Sequence, residues 1–114
     1  MSAIELATFQ VDDVAVEGLL ADRPRMIAAL HAAHPALERA YLTRADDGSF
    51  VDVIVWNSRE AALSAAAHAS EIPVVRAWFE YIAQSGGIRH VDILDAYVPS
   101  ERESSGDESS AVND

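Results

Sequence analysis

The chain has 114 residues, half of them hydrophobic, with eight basic residues that are all arginine, no cysteine and a formal net charge of −11. That length suits one domain, and the missing cysteine excludes disulfides, thiolate nucleophiles and cysteine-ligated metal centres. The acidity argues against nucleic acid or an anionic membrane surface as partner, and with no signal peptide or apolar span of about 20 residues the expectation is a cytoplasmic protein. Only 7% of the residues are aromatic and 21 are alanine. A core of such small side chains either lets helices pack close to a sheet or leaves a cavity.

In chain order, residues 3–11 (AIELATFQV) carry β-branched and aromatic residues at strand spacing. Asp13 can cap a helical segment over 14–20. Asp22-Arg23-Pro24 then reads as the opening of a helix, because proline is tolerated in a first turn, and Met26, Ile27, Leu30 and Ala33 continue at helical spacing. Pro35 ends that helix near His34. A second strand follows over 37–44, an Asp46-Asp47-Gly48 turn, and a third strand over 49–57 (SFVDVIVWN), which together predict a hairpin.

Ser58 is the expected N-cap of an alanine-rich helix over 59–69. Pro73 opens another helix, with Val74, Val75, Trp78, Phe79 and Ile82 on one face and Gly86-Gly87 as its stop. Residues 88–97 read as the last strand. From Pro99 the composition turns acidic and nearly devoid of apolar residues, so 1–98 is the expected domain and 99–114 a disordered tail.

Strand, helix, strand, strand, helix, strand is the order of an α+β, ferredoxin-like fold: a four-stranded antiparallel sheet with helices on one face. The third strand is apolar on both sides. Val51, Val53 and Val55 share one face, and Phe50, Ile54 and Trp56 share the other with Asp52. Helices cover one face only, so a second copy of the sheet is the simplest cover for the other, and a homodimer is expected.

The chemistry-bearing residues each have a structural explanation beside a functional one. Asp52, in an otherwise apolar strand, must be hydrogen-bonded or protonated, which suits an acid or base; the alternative is an ion pair with Arg44 or Arg89. His68 on the alanine-rich helix can move protons near neutral pH, or can simply be an exposed helix residue. Arg76 can pair with Glu80 four residues on. His31 and His34 lack a third ligand, so no metal site is expected; His34 suits a helix C-terminus and His90 a strand edge or an interface. Trp78 and Phe79 read as core, and Tyr81 lies off their face. No glycine-rich phosphate loop precedes a helix, so no nucleotide cofactor is expected.

The segment VDVIVWNSREAALSAAAHA, with the opening strand ATFQV and the later block AWFEYI, resembles the antibiotic-biosynthesis-monooxygenase-like family of dimeric α+β barrels, over residues 3–97. The resemblance implies a pocket between the sheet and its own helices. It would be lined by Phe50, Asp52, Ile54 and Trp56 from the third strand and by helix residues among His68, Val75, Trp78 and Phe79. In cofactor-free monooxygenases of this family an Asn, a Trp, a Tyr and an Arg act on a phenolic substrate. Trp56 matches the Trp, Asp52 stands where the Asn sits, Arg76 falls at the Arg, and Ala62 occupies the place of the Tyr. The haem-degrading members' pattern is not met, since Ala65 and Val75 stand at its Trp and His and the first strand has no Asn.

The expected function is a cofactor-independent monooxygenase acting on a planar aromatic or polyketide-like small molecule in an apolar pocket. Asp52, Trp56, Arg76 and His68 are the candidate catalytic residues; Phe50, Ile54, Val75, Trp78 and Phe79 are the candidate lining. The alternative is a non-catalytic ligand-binding or stress-related dimer of the same fold.

Overall fold

A computed structural model describes residues 2–99. The elements run β1 (Ala3–Gln10), α1 (Asp13–Ala33), β2 (Leu37–Arg44), β3 (Phe50–Trp56), α2 (Arg59–His68), a 3-10 turn (Ala69–Glu71), α3 (Pro73–Phe79) and β4 (Gln84–Asp92). The strands form one antiparallel sheet in the order β2-β3-β1-β4. This is the ferredoxin-like arrangement expected from the element order. The expected acidic tail falls, from residue 100 onward, outside the described residues.

The β2–β3 hairpin forms because its turn residues fit the turn. Gly48 takes φ +89°, a conformation that disfavours a side chain. Asp47 Oδ1 accepts from the Ser49 backbone N–H at 2.9 Å and from its hydroxyl at 2.7 Å. At the start of α2 the Ser58 hydroxyl oxygen accepts from Ala61 N–H at 3.1 Å, as the cap position requires.

Three boundaries differ from the sequence reading. Pro24 does not open a helix: α1 runs unbroken from Asp13 to Ala33 with Pro24 inside it. An interior proline deprives the Leu20 carbonyl of its donor and costs about 3 kcal/mol in an isolated helix. Leu19, Met26 and Leu30 share the face that the helix buries, and burying such side chains at about 1.5–3 kcal/mol each outweighs that cost. Second, α3 ends at Phe79, well before Gly86-Gly87, which lie inside β4. The ladder shifts register between Ala7 and Phe9, opposite these glycines. Gly87 has φ +105°, and a Cβ on Gly86 would come 3.0 Å from the Thr8 carbonyl oxygen. The glycines therefore serve a bulge and a close backbone approach. Third, β4 ends at Asp92 rather than Tyr97, because Asp92 already pairs with Ala3, the first residue of β1.

Directly opposed residues of an antiparallel ladder point to the same side. The register therefore puts Glu5, Ala7 and Phe9 of β1 on one face with Phe50, Asp52, Ile54 and Trp56 of β3 and His90 of β4. The helices pack on that face. Phe9 stacks on Phe50 at 5.7 Å and meets Trp78 edge-on at 6.1 Å. The Trp78 indole N–H donates to the Leu19 carbonyl at 2.9 Å and ties α3 to α1. The opposite face carries Ile4, Leu6, Val51, Val53, Val55 and Val91, all half-buried, and no helix of the described residues lies over it.

Candidate active site

Between the helix-side face of the sheet and the helices lies a chamber of about 420 Å³. Its floor is Glu5, Ala7 and Phe9 of β1 with Asp52, Ile54 and Trp56 of β3. Met26 and Leu30 of α1, Ala65 and Ala66 of α2 and Val75, Trp78 and Phe79 of α3 form its walls. Ile82, Ser85 and Ile88 lie at the β4 side, where Ile88 is 54% exposed. The alanines explain the space: α2 faces the sheet with methyl groups where larger side chains would fill the gap. The volume falls in the range typical of small-molecule sites, and the lining is apolar except for a few groups on the floor.

Asp52 is buried and paired, but with neither Arg44 nor Arg89. Arg23 reaches down from α1 and donates from both terminal nitrogens to the two Asp52 oxygens, each at 2.6 Å. The side chains are only 11% and 9% exposed, so this is a bidentate, largely desolvated pair. The same guanidinium stands 5.2 Å from the centroid of the Trp78 ring, a cation–π distance. Arg44 lies over Phe50 at 4.7 Å, and Arg89 sits opposite Leu6, on the other face of the sheet.

Trp56 lines the chamber and is 1% exposed, with its indole N–H lacking a hydrogen-bond partner among the described residues. His34, just past α1, meets the Trp56 ring edge-on at 6.3 Å. Ile54, Val75, Trp78 and Phe79 line the chamber as expected. Phe50 does not: it is buried beneath the lining, stacked on Phe9.

Arg76 and His68 are corrected as chamber residues. Arg76 lies exposed on α3, on the turn between the inward-facing Val75 and Trp78. His68 is exposed at the end of α2, its Nδ1 2.8 Å from the Ser64 carbonyl oxygen. Helical phase explains Arg76: one residue's offset turns a side chain by about 100°, so Val75 faces the sheet and Arg76 cannot, whereas His68 is exposed at the last residue of α2.

The sequence reading put neither of two further polar residues in the site: it placed His90 at a strand edge or interface and did not single out Glu5. Glu5 lines the chamber, and His90 stands beside it across the β1–β4 ladder, its Nε2 3.6 Å from Glu5 Oε1. These side chains are 13% and 12% exposed. That distance is too long for a hydrogen bond, and His90 Nε2 is, like the Trp56 indole, buried without a partner among the described residues. Burial pushes the Glu5 carboxyl above its ordinary value; His90 pulls it back, the neighbouring Asp52 charge adds to the rise, and the Trp56 indole beside it works in the same lowering direction as His90. The available signal was an acid inside a strand, AIELATF, with a histidine in the strand that pairs with it.

Among the described residues no group of three or more His, Cys, Asp or Glu side chains is placed to hold a metal ion, and no helix is long and apolar enough to cross a membrane.

No family model matches the chain, and no curated protein matches it in sequence. Solved structures do resemble it. SnoaB, a cofactor-independent oxygenase from Streptomyces nogalater, superposes with a TM-score of 0.64 at 21% identity, over 87% of this chain and 98% of SnoaB. Rv0793 from Mycobacterium tuberculosis gives a TM-score of 0.61 at 18% identity, over 86% of this chain and all of the other. A Caulobacter crescentus protein proposed to be an antibiotic biosynthesis monooxygenase gives 0.62 at 17% identity, over 82% and 91% of the two chains. The resemblance to the antibiotic-biosynthesis-monooxygenase-like proteins therefore holds for the fold across nearly the whole described chain.

Proposed function

We propose that the protein is a homodimeric, cofactor-independent monooxygenase acting on a planar aromatic or polyketide-like small molecule. The observation that carries this reading is the chamber: about 420 Å³, walled by alanines and aromatics, with its polar side chains gathered on the sheet floor. A flat two- or three-ring compound fits such a volume, and the fold is shared with a cofactor-independent oxygenase. The uncovered apolar sheet face supports pairing with a second copy.

For an anthrone-type substrate the ring methylene becomes a carbonyl. One atom of O₂ enters that carbonyl, and the other leaves as water with the two methylene hydrogens. The substrate supplies all four electrons, so no separate reductant enters. Ile54, Val75, Trp78 and Phe79 hold the rings and exclude water, which strengthens the polar interactions inside. Asp52 acts through Arg23: the pair fixes the guanidinium against Trp78 and so sets the wall on which a ring can stack.

The test is turnover of dithranol, a hydroxylated anthrone, under labelled oxygen. The expected result is a protein-dependent rate above that of buffer, one labelled atom per new carbonyl and no reaction without O₂. A second reading, ligand binding without chemistry, is favoured by the occupation of both Asp52 oxygens by Arg23. Unchanged dithranol bound at buffer-level oxidation rates would select it.

A further inference from the structure

The polar side chains of the chamber floor do not balance in charge. Glu5 and Asp52 are both carboxylates that border the void. Arg23 neutralises Asp52 through two nitrogens, each at 2.6 Å, and leaves Glu5 without an arginine of its own. The neighbours of Glu5 are the Trp56 indole and His90. Both favour its charged form, but the indole is neutral and histidine is counted as neutral at pH 7. Among the described residues no arginine and no histidine lines the chamber. The floor therefore carries one uncompensated negative charge, and the void offers nothing of the opposite sign.

The surroundings suit a cation. A carboxylate has about four acceptor sites, so the Trp56 indole and His90 leave others open to the chamber that Glu5 lines. Space adjoins it, because the next residue on its side of β1 is Ala7 and α2 lines the chamber with Ala65 and Ala66. Trp78 and Phe79 form the aromatic wall. The negative face of such a ring attracts a cation, and Trp78 already holds the Arg23 guanidinium 5.2 Å from its centroid. The Arg23–Asp52 pair shows how this core carries charge, as a desolvated pair of opposite sign, and Glu5 lacks the second member.

We infer that the chamber selects a flat, apolar ligand bearing a protonated amine, and that its ammonium supplies the missing partner of Glu5. The step is association only, and no covalent bond forms or breaks. The inference rests on the chamber being the ligand site proposed above, and it names the charge of the ligand that site takes. Neutral isosteres forgo the ion pair, and a carboxylate in the same place meets Glu5 as a like charge.

The groups that face Glu5 fix the direction of the pH dependence. Asp52 and Trp56 face it from β3 and His90 from β4, while Arg23 of α1 clasps Asp52. α2 and α3 contribute only apolar side chains to the lining. Burial raises the Glu5 pKa, so the ionised fraction falls as the pH drops through that raised value, and the preference for an ammonium falls with it. Protonation of His90 acts in the same direction, because it sets a like charge beside the ligand.

The experiment is calorimetric titration of the full chain with 2-naphthylmethylamine, with its neutral isostere 2-naphthalenemethanol and with 2-naphthoate. Salt at about 150 mM screens the acidic surface beyond about 8 Å. The expected result at neutral pH is about tenfold tighter binding of the amine than of the alcohol, with the carboxylate weakest. Glu5→Gln is expected to cut that preference below about threefold and to leave the alcohol's affinity unchanged. Glu60→Gln, which removes an exposed charge from α2, is expected to keep it, so an equal loss there would trace the preference to bulk charge and overturn the inference. Should Glu5→Gln not fold, a wild-type series from about pH 8 to about pH 4 carries the test, since the amine stays protonated throughout while Glu5 does not. Equal binding of amine and alcohol by wild type, an undiminished preference in Glu5→Gln, or a preference that persists to the acid end overturns the role of Glu5 and leaves the chamber reading standing. Binding of none of the three probes overturns the chamber reading and this inference together.

Discussion

Arg23 and Asp52, 29 residues apart in the chain, form a bidentate ion pair with both nitrogen–oxygen distances at 2.6 Å. It joins the middle of the long helix to the central part of the sheet, beside the proline that interrupts the helix ladder. The guanidinium then lies against Trp78, so one arginine links α1, β3 and α3.

Removing one partner of that pair leaves the other buried and unpaired. Arg23→Met or Asp52→Leu alone is expected to destabilise the fold by about 3–5 kcal/mol. The double substitution should recover most of the loss, because two apolar side chains replace two charges. Urea unfolding of the four proteins of the cycle measures this. A double variant no more stable than the worse single one would show that the pair's geometry, and not its desolvation, dominates.

Glu5 is held above its ordinary pKa by burial, with a value near 4.5 as the unfolded reference. The folded state therefore binds this proton more tightly than the unfolded chain. Stability from Glu5 is greatest below the unfolded pKa and is lost as the pH rises through the folded one. Glu5→Gln is accordingly expected to raise the melting temperature at pH 7 by a few degrees and to lose that advantage near pH 4. Thermal melts of both proteins across that range check the sign. A variant that is less stable than wild type at pH 7 would contradict it.

Ala65 is buried, and its methyl group borders the chamber. A phenylalanine there grows into existing space rather than into packed atoms, so the usual overpacking cost of about 1–3 kcal/mol is largely avoided. Ala65→Phe should keep a melting temperature close to wild type while weakening β-naphthol binding at least tenfold. Unchanged binding would place the ligand somewhere other than this chamber.

On the far side of the sheet, Val53 lies between Leu6 and Tyr41 in the ladder. If two such faces pair, a charge at Val53 is buried without a partner. Wild type is expected to sediment at twice the 12.3 kDa chain mass, and Val53→Glu as a single chain. A wild-type protein that stays monomeric at micromolar concentration would remove the sheet-face dimer.

The site was half legible before any coordinates. Asp52, Ile54 and Trp56 are placed together by strand alternation alone, and Val75 with Trp78 by helical spacing, so one wall and much of the floor followed from local periodicity. Arg76 and His68 failed because they were drawn from a resemblance and from side-chain chemistry, while helix phase turns Arg76 outward and His68 is exposed at the very end of α2. Glu5 was not singled out and His90 was read as an edge or interface residue, because neither points to a site until β1 and β4 are in register.

By itself the sequence determined the order of elements, the Asp-Gly hairpin, the Ser58 cap and the apolar faces of the strands, because these depend on residues within about one helical turn of each other. Tertiary structure alone decided that Pro24 stays inside a helix, that Gly86-Gly87 bend a strand, that Arg23 finds Asp52 and that His90 stands behind Glu5. Each of those outcomes turns on which distant segments meet. Chain topology and the burial of a shared core settle that, and no short window of residues encodes it.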